Sequence, residues 1–345
     1  MKLPQLSLFT QVTRHIGIDV GTSRIRIWSD QEGVVVDEPS CAAVDLSLNK
    51  VIAVGREAQE MIGRVKPSIQ IVFPISQGVI GDPELARAML QVFLQRLFRQ
   101  LFFFRPVVMV SVPAVLHEPE KKAFTELFFR LGVREVNFVS QVLAAAIGAG
   151  VPIADASGCL VLQMGAGLVE VAIISLGSIV HSEVVSQAGL YLDESIQKMV
   201  REKFGLRIGF KTSERLKQGV GGVAGESRSL RVVGQDVVNG TPKEVIVNTA
   251  ELAPLLEQVL SRYVHAVKAI FTHIPAELTA DVIDKGVLLS GGLAQLQGLE
   301  SYFIERLGVP VAVVDDPGRT VIHGIGQILQ NFELFRESVG YVTNS

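Results

Sequence analysis

Cysteine is nearly missing from this 345-residue sequence, the charge balance is close to even, and no hydrophobic run is both long and unbroken. Each shortage excludes something. The two cysteines, Cys41 and Cys159, stand far apart in apolar, strand-like segments, and neither has a second Cys or a His at metal-binding spacing. They read as buried free thiols, which suits a reducing cytoplasm. With 32 Lys and Arg against 35 Asp and Glu, a formal charge of -3, there is no cation surplus to release counterions from a phosphate backbone, so nucleic acid is not an expected partner. The longest uncharged stretch, residues 137–154, has the length to span a bilayer but contains Asn137, Ser140, Gln141, Gly148, Gly150 and Pro152. It reads as a buried helix followed by a turn. The opening MKLPQLSLFTQVTRH lacks the apolar core of a signal peptide, and no low-complexity linker interrupts the chain.

What the sequence has is apolar residues, 48% against 19% charged, enough chain for two domains around large cores. The mean hydropathy of +0.37 predicts apolar surface that meets a membrane or other copies of the chain. Strand-like runs alternate with helical patterns, which predicts an α/β architecture. Strands are expected at 16–19, 24–28, 107–112, 159–164, 170–175, 179–185, 286–289 and 311–314. Helices are expected at 83–102, 118–131, 141–148, 192–204, 213–218, 249–271 and 297–307.

A weak internal repeat is the most informative pattern. Ile18-Asp19-Val20-Gly21-Thr22-Ser23-Arg24-Ile25-Arg26-Ile27 can be laid over Leu162-Gln163-Met164-Gly165-Ala166-Gly167-Leu168-Val169-Glu170-Val171. Each copy reads as a strand, a small-residue turn and a second strand, so two similar halves are expected. A turn of small residues lets backbone N–H groups approach an anion without interference from Cβ. Two such turns facing each other would hold a polyphosphate from both sides.

Around this repeat lie further short strings: Asp37-Glu38-Pro39-Ser40, Ala53-Val54-Gly55-Arg56-Glu57-Ala58, Gly78-Val79-Ile80-Gly81-Asp82, Ala144-Ala145-Ala146-Ile147-Gly148-Ala149-Gly150, Glu214-Arg215-Leu216-Lys217 and Leu289-Ser290-Gly291-Gly292. The paired turns look like the two phosphate loops of the actin, DnaK-type chaperone and sugar-kinase superfamily. With the other strings, in order from about Ile16 to Gln330, the chain resembles the MreB family of bacterial actin-like, shape-determining proteins. The resemblance implies an α/β, actin-like (ribonuclease H-like) fold of two domains and four subdomains around a central nucleotide cleft. Residues 1–150 with about 316–345 would form domain I, with a small subdomain at about 35–73; residues 151–315 would form domain II, with a small subdomain at about 182–245. It also implies ATP or ADP as ligand. Gly21, Thr22 and Ser23 would make the first phosphate loop, and Gly165, Ala166 and Gly167 the second. Glu214, Arg215 and Lys217 would lie on the ribose and adenine side, and Gly291, Gly292, Leu293 and Ala294 would form the adenosine-side turn. Asp19 stands where the family keeps a carboxylate near Mg2+, acting through water. Taken singly, the glycines are ordinary turns and Glu214 with Lys217 a surface i,i+3 pair; together and in order they point to a nucleotide.

The departures bear on turnover. Where the family's second loop begins with Asp and continues Gly-Gly-Gly-Thr, this chain has Gln163-Met164-Gly165-Ala166-Gly167-Leu168. A neutral amide does not replace a carboxylate around a hard cation. The family's water-activating Glu is replaced by Gln141; a Gln can orient a water without deprotonating it, whereas losing a general base costs about 10² to 10⁴ in rate. Gly-Gly-Asp becomes Ala188-Gly189-Leu190, and the third glycine of the adenosine turn becomes Leu293. The expectation is a nucleotide binder whose hydrolysis is slow or lost, at most a weak ATPase coupled to polymerisation. An active ATPase with compensating residues, and a nucleotide-independent adaptor or structural paralogue, remain as alternatives.

Two apolar segments exceed what a core needs. Leu6, Phe9 and Val12 recur at three-residue spacing beside Leu3 and Leu8, with Lys2 and Arg14 and no acidic residue through His15, a pattern suited to a short helix in an anionic headgroup layer. Leu101-Phe102-Phe103-Phe104 matches in position the hydrophobic loop by which the resembled family touches membrane. Burying a Phe is worth about 1.5 to 3 kcal/mol, so one subunit would bind reversibly and a filament would hold by avidity. The resemblance therefore implies self-assembly into filaments, a cytoplasmic site on the inner face of the cell membrane, and the cell-wall elongation machinery as partner in setting cell shape.

Overall fold

A computed structural model describes residues 15–97, 105–223, 227–338 and 340–343. The chain opens with an antiparallel meander of β1 (His15–Val20), β2 (Arg24–Ser29) and β3 (Gly33–Pro39). A small sheet follows, made of β4 (Ala42–Asp45), β5 (Lys50–Val54) and β6 (Ile69–Val72), with α1 (Arg56–Met61) laid on it. Cys41, Ala43 and Ala58 form a separate small core there. A short hairpin, β7 (Ile75–Ser76) and β8 (Val79–Ile80), leads to α2 (Pro83–Leu97), β9 (Val107–Val112), α3 (Glu118–Arg130), β10 (Glu135–Ser140) and α4 (Gln141–Gly148).

The second half repeats the plan. Its meander is β11 (Cys159–Met164), β12 (Val169–Ser175) and β13 (Ser178–Val185), followed by α5 (Gly189–Phe204), β14 (Leu206–Arg207), α6 (Phe210–Val220), β15 (Ser229–Asp236) and β16 (Pro242–Asn248). Then come α7 (Thr249–Phe271), α8 (Ala276–Lys285), β17 (Val287–Ser290), α9 (Leu299–Leu307), β18 (Val311–Val313), α10 (Thr320–Gln330), α11 (Phe332–Phe335) and β19 (Gly340–Thr343). The long α7 starts on a reciprocal cap: Glu251 N–H donates to Asn248 Oδ1 at 3.2 Å and Asn248 N–H to Glu251 Oε2 at 2.7 Å.

The first large sheet runs β19-β10-β9-β1-β2-β3 and the second β13-β12-β11-β17-β18. In both, a meander of three antiparallel strands is extended from its first strand by two parallel ones. The wiring is the duplicated, actin-like plan expected from the sequence, and the repeat is in register: Ile18 pairs with Ile27 as Leu162 pairs with Val171. β1, β9, β11 and β12 are covered on both faces, so their residues are almost uniformly buried.

Between the two large sheets lie α4 and α10. Their core joins Trp28, Met109 and Val139 of the first half to Val161, Ala172 and Ile174 of the second. The two helices cross at glycine: a Cβ on Gly324 would overlap the carbonyl of Ala144, and one on Gly148 the carbonyl of Thr320. The segments α1, α8, α10, α11, β3–β8, β10, β14–β16 and β19 are not among the elements expected from sequence, and the helix expected over 83–102 is described to Leu97. Both cysteines are buried free thiols, and burial pushes each up to about 11. No helix among the described residues is long and apolar enough to cross a membrane.

Candidate functional site

Parallel strands bring their carboxyl ends to one side of a sheet, where ligands bind in α/β folds. Here both sheets present those ends to one cleft: β1, β9 and β10 from the first half, β11 and β17 from the second. The two repeat turns face each other across it. Gly21 N–H donates to the Arg24 carbonyl at 3.0 Å, and Gly165 N–H to the Leu168 carbonyl at 2.8 Å. A Cβ at Gly21 would stand 2.6 Å from Arg24 O and one at Gly165 2.8 Å from Leu168 O, so neither closing bond tolerates a side chain. Among the described residues, the N–H groups of Thr22, Ser23, Ala166 and Gly167 have no backbone partner; they are what the turns offer to an anion.

The turns are held from outside as well. Thr22 is buried against Gly167, and its hydroxyl oxygen accepts from Gly78 N–H at 3.1 Å, which seats the β7–β8 hairpin beside the first turn. The second turn is tied to the start of α5, where Gly189 and Leu190 N–H donate to the carbonyls of Gly165 and Ala166 at 3.2 and 2.8 Å.

Behind each turn sits a pair of polar side chains at mirrored positions. In the first half, Asp19 faces Arg26 across β1 and β2. Asp19 is 6% exposed; one oxygen accepts from Ser111 Oγ at 2.8 Å and the other from Arg26 Nη1 at 3.2 Å. Burial raises its carboxyl, against the pull of Arg26 and Ser111. Arg26 reaches on to Asp37 at 3.4 Å. Burial works against ionisation of Asp37 too, but Arg24, Arg26 and Arg319 outweigh it and hold that carboxyl below its usual range.

In the second half the same places are taken by Gln163 and Glu170, paired across β11 and β12. Gln163 Oε1 is buried without a protein partner. Glu170, 1% exposed, accepts from Ala114 N–H of the first half at 2.6 Å, and its second oxygen has no partner. Burial pushes it up to about 7. Neither Arg26 nor Glu170 was singled out from the sequence. The overlay that aligned the turns had already set one above the other.

Where the resemblance places the nucleoside, Lys217 of α6 is pinned to Asp193 of α5 at 2.6 Å and to the Gly189 carbonyl at 3.2 Å. Asp193 is deeply buried, which pushes its carboxyl up to about 6 despite Lys217. Glu214 is half-buried on the same helix. Arg215 is exposed and donates instead to the Arg231 carbonyl on β15 at 3.4 Å, apart from Lys217. Gly291 takes a left-handed φ of 89° and backs onto the main chain of Met164, next to the second turn. Gly292 faces open space. Leu293 and Ala294 are buried in the second-half core, so the leucine in place of a third glycine turns inward. Gln141 opens α4, two residues beyond the level at which Asp19, Ser111 and Val139 align across the sheet. The membrane candidates Leu6, Phe9, Leu101, Phe102, Phe103 and Phe104 lie outside the described residues.

Chemically, the two turns offer backbone N–H groups to an anion, with the Gly291-Gly292 turn and the Lys217–Asp193 pair close to the second of them. A family model described as MreB/Mbl protein matches residues 13–337. The cell shape-determining protein Mbl of Bacillus cereus is 37% identical over 322 residues, covering 93% of this chain and 97% of its own length. The cell shape-determining protein MreB of Escherichia coli is 35% identical over 326 residues, 92% and 94% of the two chains. The crystal structure of MreB5 of Spiroplasma citri bound to AMPPNP superposes with a TM-score of 0.91 at 29% identity, covering 95% of this chain and 99% of that one. The MamK double helical filament shares the fold, with a TM-score of 0.79 at 19% identity over 92% and 99% of the chains.

Proposed function

The chain belongs to the MreB/Mbl family, and from that premise we propose that it assembles into actin-like filaments that help set cell shape, with ATP or ADP held in the cleft. The observation that carries this reading is the pair of mirrored turns, each closed by a glycine N–H and each, among the described residues, leaving two N–H groups without a backbone partner. The phosphates would lie against the two turns, beside the point where Thr22 meets Gly167, and the nucleoside between α6 and the Gly291-Gly292 turn. The relative MreB5 carries AMPPNP in one structure and ADP in another, which supports a nucleotide as the ligand. Neutral Gln163 and Leu168 favour slow or absent hydrolysis. Filaments would lie on the inner face of the cell membrane through Leu6, Phe9 and Leu101 to Phe104, and would act with the cell-wall elongation machinery.

Electron microscopy of the purified chain with and without ATP tests the reading; filaments that form with ATP are the expected result, and their absence in every nucleotide state would refute it. The neutral amide at Gln163 also favours a second reading, a structural paralogue whose assembly needs no nucleotide. Equal filament yield after enzymatic removal of all nucleotide would select it.

A further inference from the structure

Mg2+ is a hard cation that keeps near-octahedral oxygen coordination and is usually bound through one or two carboxylates together with substrate phosphates. The residues of this cleft do not fit it. Asp19 has both oxygens committed, one to Ser111 and one to Arg26. Gln163, at the mirrored position, is neutral. Asp37 is held by Arg24, Arg26 and Arg319. Glu170 is turned to the Ala114 N–H, and as a buried carboxyl pushed up to about 7 it carries its proton for much of the time at neutral pH.

What the cleft has instead is a fixed cation. Arg26 is largely buried, its side chain 13% exposed, directly behind the first turn and opposite Asp19. A guanidinium has five donors in a planar fork and stays charged at any accessible pH. Two of its nitrogens face Asp19 and Asp37, which fixes the group in place and leaves donors over for phosphate, a ligand that guanidinium forks match. The charges add up in the same direction. A facing pair of carboxylates would repel a polyphosphate until a dication neutralised it; here Asp19 is paired with Arg26, Asp37 has Arg24 and Arg319 besides Arg26, and Gln163 adds no charge.

We propose that this cleft binds its nucleotide without a metal ion, Arg26 providing beside the phosphates the positive charge that Mg2+ would otherwise bring. The inference rests on the nucleotide reading given above. It also accounts for two features together, the amide at Gln163 and the arginine locked onto Asp19.

The test is the affinity of a fluorescent ATP analogue measured in EDTA and in millimolar Mg2+. The parent should bind equally in both. Arg26→Gln removes charge-assisted hydrogen bonds, so binding in EDTA should weaken about 10- to 100-fold. Mg2+ should restore it, because Asp19 is then free. Gln163→Asp adds a negative charge on the opposite half and should create the same Mg2+ dependence; it carries the test if the arginine variant melts early by circular dichroism. Parent binding that disappears in EDTA overturns the inference and leaves the nucleotide reading standing. So does a folded Arg26→Gln that binds in EDTA as the parent does. No binding in either buffer removes both.

Discussion

Replacing Glu170 by Gln should make the protein more stable at neutral and alkaline pH, and by a margin that grows with pH. Glu170 is 1% exposed, and burial raises its carboxyl from 4.5 to about 7. The folded state therefore binds this proton more tightly than the unfolded chain does, and the stability associated with it is fully present below about 4.5, declines as pH rises, and is lost above about 7. At 1.36 kcal/mol per tenfold, the displacement corresponds to roughly 3 kcal/mol. Glutamine keeps the acceptor for Ala114 N–H and removes the charge. Its amide also puts a donor where Glu170 has an unpaired oxygen, and Gln163 on the paired strand has an unpartnered Oε1. Thermal melts of parent and variant at pH 5, 6, 7 and 8 read the difference directly, since Asp19 and Asp193, which are also raised, titrate in both proteins and cancel. The two curves should lie close together at pH 5 and separate to several degrees at pH 8, at roughly 2 °C per kcal/mol for a chain of this size. A gap that stays constant with pH, or a variant that melts below the parent at pH 8, would refute the reasoning.

Three further outcomes are expected. Gly165→Val places a side chain where Leu168 O stands 2.8 Å from the Cβ position, and should abolish binding of the fluorescent ATP analogue; unchanged affinity would remove the phosphates from that turn. The double variant Gln163→Asp, Leu168→Thr restores a carboxylate and a hydroxyl at the second turn and should release phosphate from ATP faster than the parent at saturating Mg2+, with equal rates counting against the assignment of the defect. Replacing Phe102, Phe103 and Phe104 together with Ser should release the protein from anionic liposomes in a flotation assay while its melting temperature holds, because each partly inserted Phe contributes at most about 1.5 to 3 kcal/mol; a variant that unfolds would show those side chains to be core.

The duplicated wiring was legible because the information is contiguous: strand, turn and strand fit within ten residues, and the same apolar alternation recurs at Ile18 and Leu162. The amide at Gln163 could be read for the same reason. What escaped was whatever depends on register or on distant chain. Arg26 becomes informative only when β1 and β2 are paired and Asp19 is seen to be its partner. Lys217 is anchored by Asp193, 24 residues earlier on another helix, and Arg215, its near neighbour in sequence, faces a different element. α10 was missed because TVIHGIGQILQ mixes two glycines with β-branched residues, poor helix formers. Its helix is made by packing against α4 and the two sheets.

That packing has a mechanical meaning. Where α4 and α10 cross, each glycine rests against a carbonyl of the other helix with no room for a methyl group, so the joint has neither slack to take up nor a lubricating layer of side chains along which to slide. Sliding α10 along α4 would drive backbone into backbone. Tilting about the crossing point is the freedom left to the pair, so any change in how the two sheets lie against each other turns on these two glycines rather than being spread along the helices.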